Sequence, residues 1–206
     1  MRVAVIGAGG RTGRRAVSVL QRRGHDVVAV VRTAAKAPPA AEPRVADARD
    51  PVALAVAVAG ADAVVSCVGP VRGESRTVMA ESMRALLEAM QQTGIRRLVV
   101  VTASGWVVDG DDPLSRFVAK PLLGVMLREA NADLGETERS VRAGDRDWTI
   151  VRPPRLLDRP GTGGYRSRRD GNVRWRYSIR RDDLALALAD VLEDPTTIGH
   201  VVSVAN

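Results

Sequence analysis

A chain of 206 residues, 45% of them apolar, can bury one full core and is too apolar to be disordered. Its one cysteine, Cys67, excludes an internal disulfide and a cysteine-based metal cluster, and its two histidines, His25 and His200, lack ligating spacing, so no metal is expected. The net charge of +7 comes from arginines scattered along the chain, with no basic block interleaved with aromatics; this excludes nucleic acid as the expected partner and suits an anionic small molecule.

In chain order, apolar β-type runs alternate with amphipathic stretches, the pattern of a parallel sheet covered by helices. Val3 to Ile6 is a buried strand, and a glycine turn leads to a helix over Arg14 to Arg23. Val27 to Val31 is the second strand; a Pro/Ala loop and a short extended piece, Arg44 to Ala46, follow. Asp50-Pro51 opens a helix to Ala59, with proline in its first turn. Ala63 to Cys67 is a strand, and Met79, Met83, Leu86, Leu87 and Met90 recur at helical spacing within Thr77 to Gln92. Leu98 to Val101 is a buried strand, Asp109 to Pro113 an acidic turn, and Leu114 to Arg142 a helix interrupted at Pro121, Gly124 and Gly135. Trp148 to Val151 is a strand, Pro153 to Gly164 a polar loop, and Val173 to Ile179 alternates as a strand. Asp182 or Asp183 caps a last helix to Leu192, and His200 to Val204 closes the chain as a strand. The expectation is α/β: a single domain over 1–206, with a Rossmann-type doubly wound, mostly parallel sheet and a small C-terminal substrate-side region at about 153–180.

The sharpest motif is Gly7-Ala8-Gly9-Gly10-Arg11-Thr12-Gly13, between the first strand and the first helix. Gly7 serves the tight turn, Gly9 lets backbone approach a pyrophosphate, and Gly13 lets helix and strand pack closely. The helix start then offers free N–H groups and a positive dipole end to phosphates. Nineteen residues beyond Gly13 the second strand ends in Val31-Arg32, where NAD-preferring proteins carry an acidic residue. A charge-assisted bond from Arg32 to a 2′-phosphate, at about 1.5–3 kcal/mol, gives about a ten- to hundredfold preference for NADPH. Arg11 and Lys36 are further candidates for that phosphate.

Beyond the glycine loop, Val31-Arg32, Ala46-Asp47-Ala48, Ser66-Cys67-Val68-Gly69, Thr102-Ala103-Ser104-Gly105, Asp147-Trp148-Thr149-Ile150-Val151-Arg152-Pro153 and Ile179-Arg180-Arg181-Asp182-Asp183-Leu184-Ala185 follow in order. Together they resemble atypical short-chain dehydrogenase/reductases of the NAD(P)H-binding, NmrA-like type, near the flavin reductase/biliverdin reductase B-like group. The resemblance implies cofactor contacts at Gly7, Gly9, Gly10, Arg11, Thr12, Gly13, Arg32, Asp47, Ala48, Cys67, Val68, Gly69, Thr102 and Pro153. It places Asp47 and Ala48 at the adenine, Cys67 to Gly69 along a ribose, and Thr102 to Ser104 beside the nicotinamide. Arg155 and Tyr165 fall on the substrate side.

The larger superfamily uses a Tyr-x-x-x-Lys pair, but Lys120 is preceded four residues earlier by Arg116, and the only tyrosines are Tyr165 and Tyr177. Reducing an unactivated ketone needs a positioned acid, whereas a flavin or quinone takes hydride as a delocalised anion. The expected activity is therefore reduction of a planar, conjugated acceptor by NADPH, a polyketide-type quinone among the candidates. Ser104 orients the acceptor or relays a proton, Trp106 stacks on it or plugs the site, and Arg155 and Tyr165 line its pocket. The alternative is an NmrA-like regulator that binds NADP(H) without turnover and controls a protein partner. No apolar run spans a bilayer and no signal peptide is present at Met1 to Gly7, so a cytoplasmic monomer or homodimer without a membrane partner is expected.

Overall fold

The computed structural model describes residues 1–70, 75, 77–106, 113 and 128–206. Strands β1 (Arg2–Ile6), β2 (Asp26–Val31), β3 (Glu42–Val45), β4 (Ala63–Ser66), β5 (Arg97–Val101) and β6 (Asp147–Arg152) alternate with helices α1 (Arg11–Arg22), α2 (Pro51–Val58), α3 (Val78–Thr93) and α4 (Arg128–Ala143). Two short strands follow, β7 (Arg155–Leu157) and β8 (Arg166–Arg169). Then come β9 (Ser178–Arg180), α5 (Arg181–Glu193) and β10 (His200–Ala205).

Among the described residues the main sheet runs β3-β2-β1-β4-β5-β6-β10-β8, parallel except for the antiparallel β10–β8 edge pair. The crossover from β1 outward to β2 and back to β4 makes this a doubly wound Rossmann-type sheet, with its switch point between β1 and β4. Strands buried on both faces read as unbroken runs such as Val-Val-Ala-Val-Val, and their alternate residues feed two cores. Val3, Val5, Val27, Ala29 and Val65 face α1 and α5; Ala4, Ile6, Val28, Val30 and Val64 face α2 and α3. A separate pair, β7 with β9, sits in the C-terminal region.

Four local readings are corrected. The strand expected over Val173 to Ile179 shrinks to Ser178–Arg180, because Trp175 adopts φ +60°, where extended pairing stops. The strand that completes the sheet edge is Arg166–Arg169, four exposed residues with no apolar alternation to announce it. Such a charged strand suits an edge. Neither Asp182 nor Asp183 caps α5: the cap position is Arg180, without a side-chain bond, and both aspartates lie in the first turn. Gly135 does not interrupt α4; it sits inside the helix, and a Cβ there would meet the Trp106 ring at 3.6 Å. The turn expected from Asp109 falls, up to Asp112, outside the described residues, as do Pro121, Gly124, Arg116 and Lys120.

Candidate functional site

The chain leaves β1 through Gly7 at φ +75°, a conformation that side-chain-bearing residues rarely adopt. At Gly13 a Cβ would lie 2.2 Å from the Gly7 carbonyl oxygen and 2.8 Å from the Ala8 Cα, so only glycine lets α1 cross the strand end. Gly9 also has a close neighbour within the chain. Its missing Cβ would stand 3.1 Å from both the Cβ and the carbonyl oxygen of Lys36, in the one-turn helix Ala34–Lys36. Arg14 laces the same two segments, its Nε donating to Gly9 O at 3.0 Å and its Nη2 to Lys36 O at 2.8 Å. Gly10 occupies the cap of α1 without a side-chain acceptor, so the first-turn amides face outward at the positive end of the helix.

Around this loop lies a cavity of about 310 Å³, at the carboxyl ends of β1 to β4. Gly7, Gly9 and Gly10 border it, with Arg32 and Lys36 from beyond β2, Ala46 to Arg49 from beyond β3, and Cys67 to Gly69 from beyond β4. Val78 and Ser82 of α3 close it. The expected residues Gly7, Gly9, Gly10, Arg32, Asp47, Ala48, Cys67, Val68 and Gly69 thus share one cavity. Arg49 was missed by the sequence reading, although its spacing from Asp47 is that of an Asx turn. The Asp47 carboxylate accepts from the Arg49 guanidinium at 3.0 Å and from the Arg49 amide at 2.9 Å. These bonds, joined by the nearby charge of Arg32, hold its pKa below the ordinary carboxylate value. Burial pushes the Cys67 thiol up to about 12, so it lines the wall as a thiol and not as a nucleophilic thiolate.

The other expected residues lie outside the cavity lining. Arg11 pairs with Asp158 at 2.7 Å, and Arg181 meets the other oxygen of Asp158 at 2.7 Å. Thr12 and Gly13 belong to the first turn of α1. Beyond β5, the Thr102 hydroxyl donates to the buried Glu138 at 2.9 Å, and Arg152 donates to Glu138 through Nε at 2.8 Å and through Nη2. The Arg152 guanidinium also lies 5.4 Å from the centre of the Trp106 ring. Trp106 is therefore packed between Arg152 and Gly135. The Ser104 amide donates to Pro153 O at 2.9 Å, carrying the β5–β6 pairing past the strand ends. Arg155 is exposed on β7. The structure does not bring Tyr165 to the cavity: its hydroxyl donates to Asp190 at 2.5 Å, and burial, first, and that carboxylate, second, raise its pKa strongly. Asp183, fully buried, accepts from the Thr162 and Gly163 amides, the Thr162 hydroxyl and Asn206, fastening the loop after β7 to α5.

The arrangement fits a phosphorylated dinucleotide. The glycine cradle closes to any Cβ at Gly13, the helix start offers amides to a pyrophosphate, and Arg32, Lys36 and Arg49 put cations on the cavity wall. Among the described residues no cluster of His, Cys, Asp or Glu could hold a metal, and no helix is long and apolar enough to cross a membrane.

Comparison with known proteins agrees with this geometry. A family model described as NAD(P)H-binding matches residues 7–195. YwnB of Bacillus subtilis, an uncharacterized protein, is 29% identical over 203 residues, covering 95% of this chain and 93% of its own. A 3-diazoavenalumate denitrifying reductase from a Streptomyces species is 33% identical over 182 residues, covering 79% of this chain; the match spans 58% of that longer protein. The structure of ChuY, an anaerobillin reductase from Escherichia coli O157:H7, superposes with TM-score 0.80 at 23% identity, over 100% of this chain and 97% of that one. A likeness at that identity speaks for the fold.

Proposed function

Because the chain belongs to the NAD(P)H-binding family, we propose that it is an NADPH-dependent reductase that passes hydride to a planar, conjugated acceptor such as a flavin or quinone. The observation that carries the cofactor choice is the placing of Arg32, Lys36 and Arg49 on one cavity with the glycine loop, where no carboxylate waits at the end of β2 for a ribose hydroxyl. Cations in that position favour a 2′-phosphate.

In this reading the first-turn amides of α1 receive the pyrophosphate, and Arg32 with Lys36 and Arg49 holds the 2′-phosphate. Asp47 and Ala48 border the adenine, and Cys67 to Gly69 border a ribose. The bound nicotinamide supplies the hydride. Ser104, fixed through its backbone to Pro153, offers its hydroxyl to the acceptor, and exposed Arg155 attracts an acceptor's anionic group. Thr102 has a different task, since its hydroxyl is engaged by Glu138.

The choice of a conjugated acceptor is supported by the two tyrosines. Tyr165 is bonded to Asp190, and Tyr177 is exposed beside β9; neither lines the cavity. The Tyr-x-x-x-Lys proton donor of the larger superfamily is absent from the sequence, and Tyr165 commits its hydroxyl to Asp190, so an acceptor that delocalises its negative charge is the chemistry that fits. The names of the denitrifying reductase and of ChuY point the same way, toward reductive chemistry in similar proteins.

The test follows NADPH absorbance at 340 nm against a panel of flavins, quinones and aliphatic ketones, with Ser104→Ala in parallel. Turnover of the conjugated acceptors alone, lowered about 10²-fold or more in Ser104→Ala, is the expected result. Tight NADPH binding without turnover of any acceptor would replace the reductase with a dinucleotide sensor.

A further inference from the structure

Ser82 stands out among the cavity residues. It is 3% exposed, it lies in the second turn of α3, and its buried hydroxyl has no hydrogen-bond partner, while the residue is one of those lining the cavity. A helical serine in a core ordinarily returns its proton to the carbonyl four residues back, and a buried hydroxyl without any partner is destabilising. The position is therefore one at which folding alone leaves a polar group unsatisfied.

Its surroundings say what kind of group completes it. The start of α3 is not an anion site, because Asp133 of α4 accepts the amides of Met79 at 3.1 Å and Ala80 at 2.8 Å. A phosphate there would meet a carboxylate that already occupies the helix end. The cations of the cavity come instead from the segments after β2 and β3. The rest of the lining on which Ser82 stands is largely apolar, with Ile6, Ala46, Ala48, Val68 and Val78 among its residues. Val68 and Ala48 pack on the same core cluster as Met83 and Leu86, so this wall is the α2/α3 side of the sheet. Apolar walls with one isolated hydroxyl suit a neutral, flat, nitrogen-bearing ring.

We propose that the Ser82 hydroxyl donates a hydrogen bond to a ring nitrogen of the cofactor's adenine, making Ser82 a specificity-determining residue for the base. The proposal rests on the NADPH reading above and adds to it the residue that recognises the purine. The bond forms only on binding, so Ser82 contributes to affinity and nothing to the stability of the unliganded fold.

The experiment measures Kd by calorimetry for NADPH, for 2′,5′-ADP (the adenosine half) and for reduced nicotinamide mononucleotide, on the wild type, Ser82→Ala and Ser82→Thr. One neutral hydrogen bond corresponds to about a three- to tenfold change in Kd. Ser82→Ala should weaken NADPH and 2′,5′-ADP by the same factor, leave the mononucleotide unchanged, and leave the unliganded melting temperature equal or higher. Ser82→Thr, which keeps the hydroxyl, should restore affinity. Unchanged binding of 2′,5′-ADP by Ser82→Ala would overturn the role of Ser82 while leaving the NADPH reading intact. A wild type that binds neither NADPH nor 2′,5′-ADP would overturn both.

Discussion

Glu138 offers a demanding test of how the ends of β5 and β6 are held. Its carboxylate is 2% exposed and serves the Thr102 hydroxyl, the guanidinium of Arg152, itself 6% exposed, and Arg142 at 3.5 Å. Replacing Glu138 by leucine strands a buried guanidinium and removes the acceptor of a buried hydroxyl. Breaking a buried ion pair from one side costs about 3–5 kcal/mol. A chain of this size loses about 2–4 °C for each kcal/mol, so the melting temperature should fall by about 6–20 °C. Replacing both partners, Glu138→Leu with Arg152→Met, removes the stranded charge and should recover most of the loss, since apolar substitutes for a buried pair are often close to neutral. Urea unfolding and calorimetry on the two variants decide the matter. A single variant that loses less than about 1 kcal/mol, or a double variant no more stable than the single, would refute the assignment of Glu138 as the counter-charge of Arg152.

Three more outcomes follow from other parts of the structure. Gly13→Ala places a methyl 2.2 Å from the Gly7 carbonyl oxygen; the backbone clash, about 1–3 kcal/mol or more, outweighs alanine's helix advantage of about 1 kcal/mol, so both stability and NADPH affinity should drop. Arg32→Asp should weaken NADPH about ten- to hundredfold and NADH far less, read as the ratio of the two Kd values by nicotinamide fluorescence; equal losses contradict the 2′-phosphate assignment. At Asp183 burial works to raise the pKa, but the Thr162 and Gly163 amides, the Thr162 hydroxyl and Asn206 outweigh it, and the net shift is downward. A carboxyl with a depressed folded pKa gives stability that is complete above its unfolded value and is lost as pH falls through the folded one. Asp183→Asn should therefore be destabilised at neutral pH and lose part of the wild type's decline below about pH 4; identical acid transitions would contradict this.

The sequence carried the sheet because parallel strands buried on both faces must be long apolar runs, and Val27 to Val31 or Leu98 to Val101 can hardly be anything else. Helix starts were less legible. The apolar period of α3 locates the helix, but its N-terminal amides are satisfied by Asp133, a residue no local pattern connects to Met79. Asp182 and Asp183 look like caps by position, yet they turn to the backbone and hydroxyl of Thr162 and to Arg15, partners about twenty and more than 160 residues away. Within the cavity, the glycines and Arg32 announce themselves by spacing. Ser82 does not, since a serine on a methionine-rich helix face reads as an ordinary core position. Tyr165 is the opposite case: its loop suggests an acceptor contact, and only the fold reveals Asp190 beside it.

The cap that Asp133 places on α3 joins residues 54 positions apart, and it fixes the helix whose first turns close one wall of the cavity. Every glycine of the first loop, Arg32, Asp47 and Ser82 lie upstream of it. During synthesis, then, the chain holds all of its phosphate-binding elements well before it holds the residue that sets the far wall. An N-terminal half ending before α4 would possess the cradle and the α3 segment, but not the Asp133 carboxylate that caps the start of α3. Tight dinucleotide capture should accordingly arise late in assembly, as a property of the finished molecule, and the bound dinucleotide would report completion of the fold.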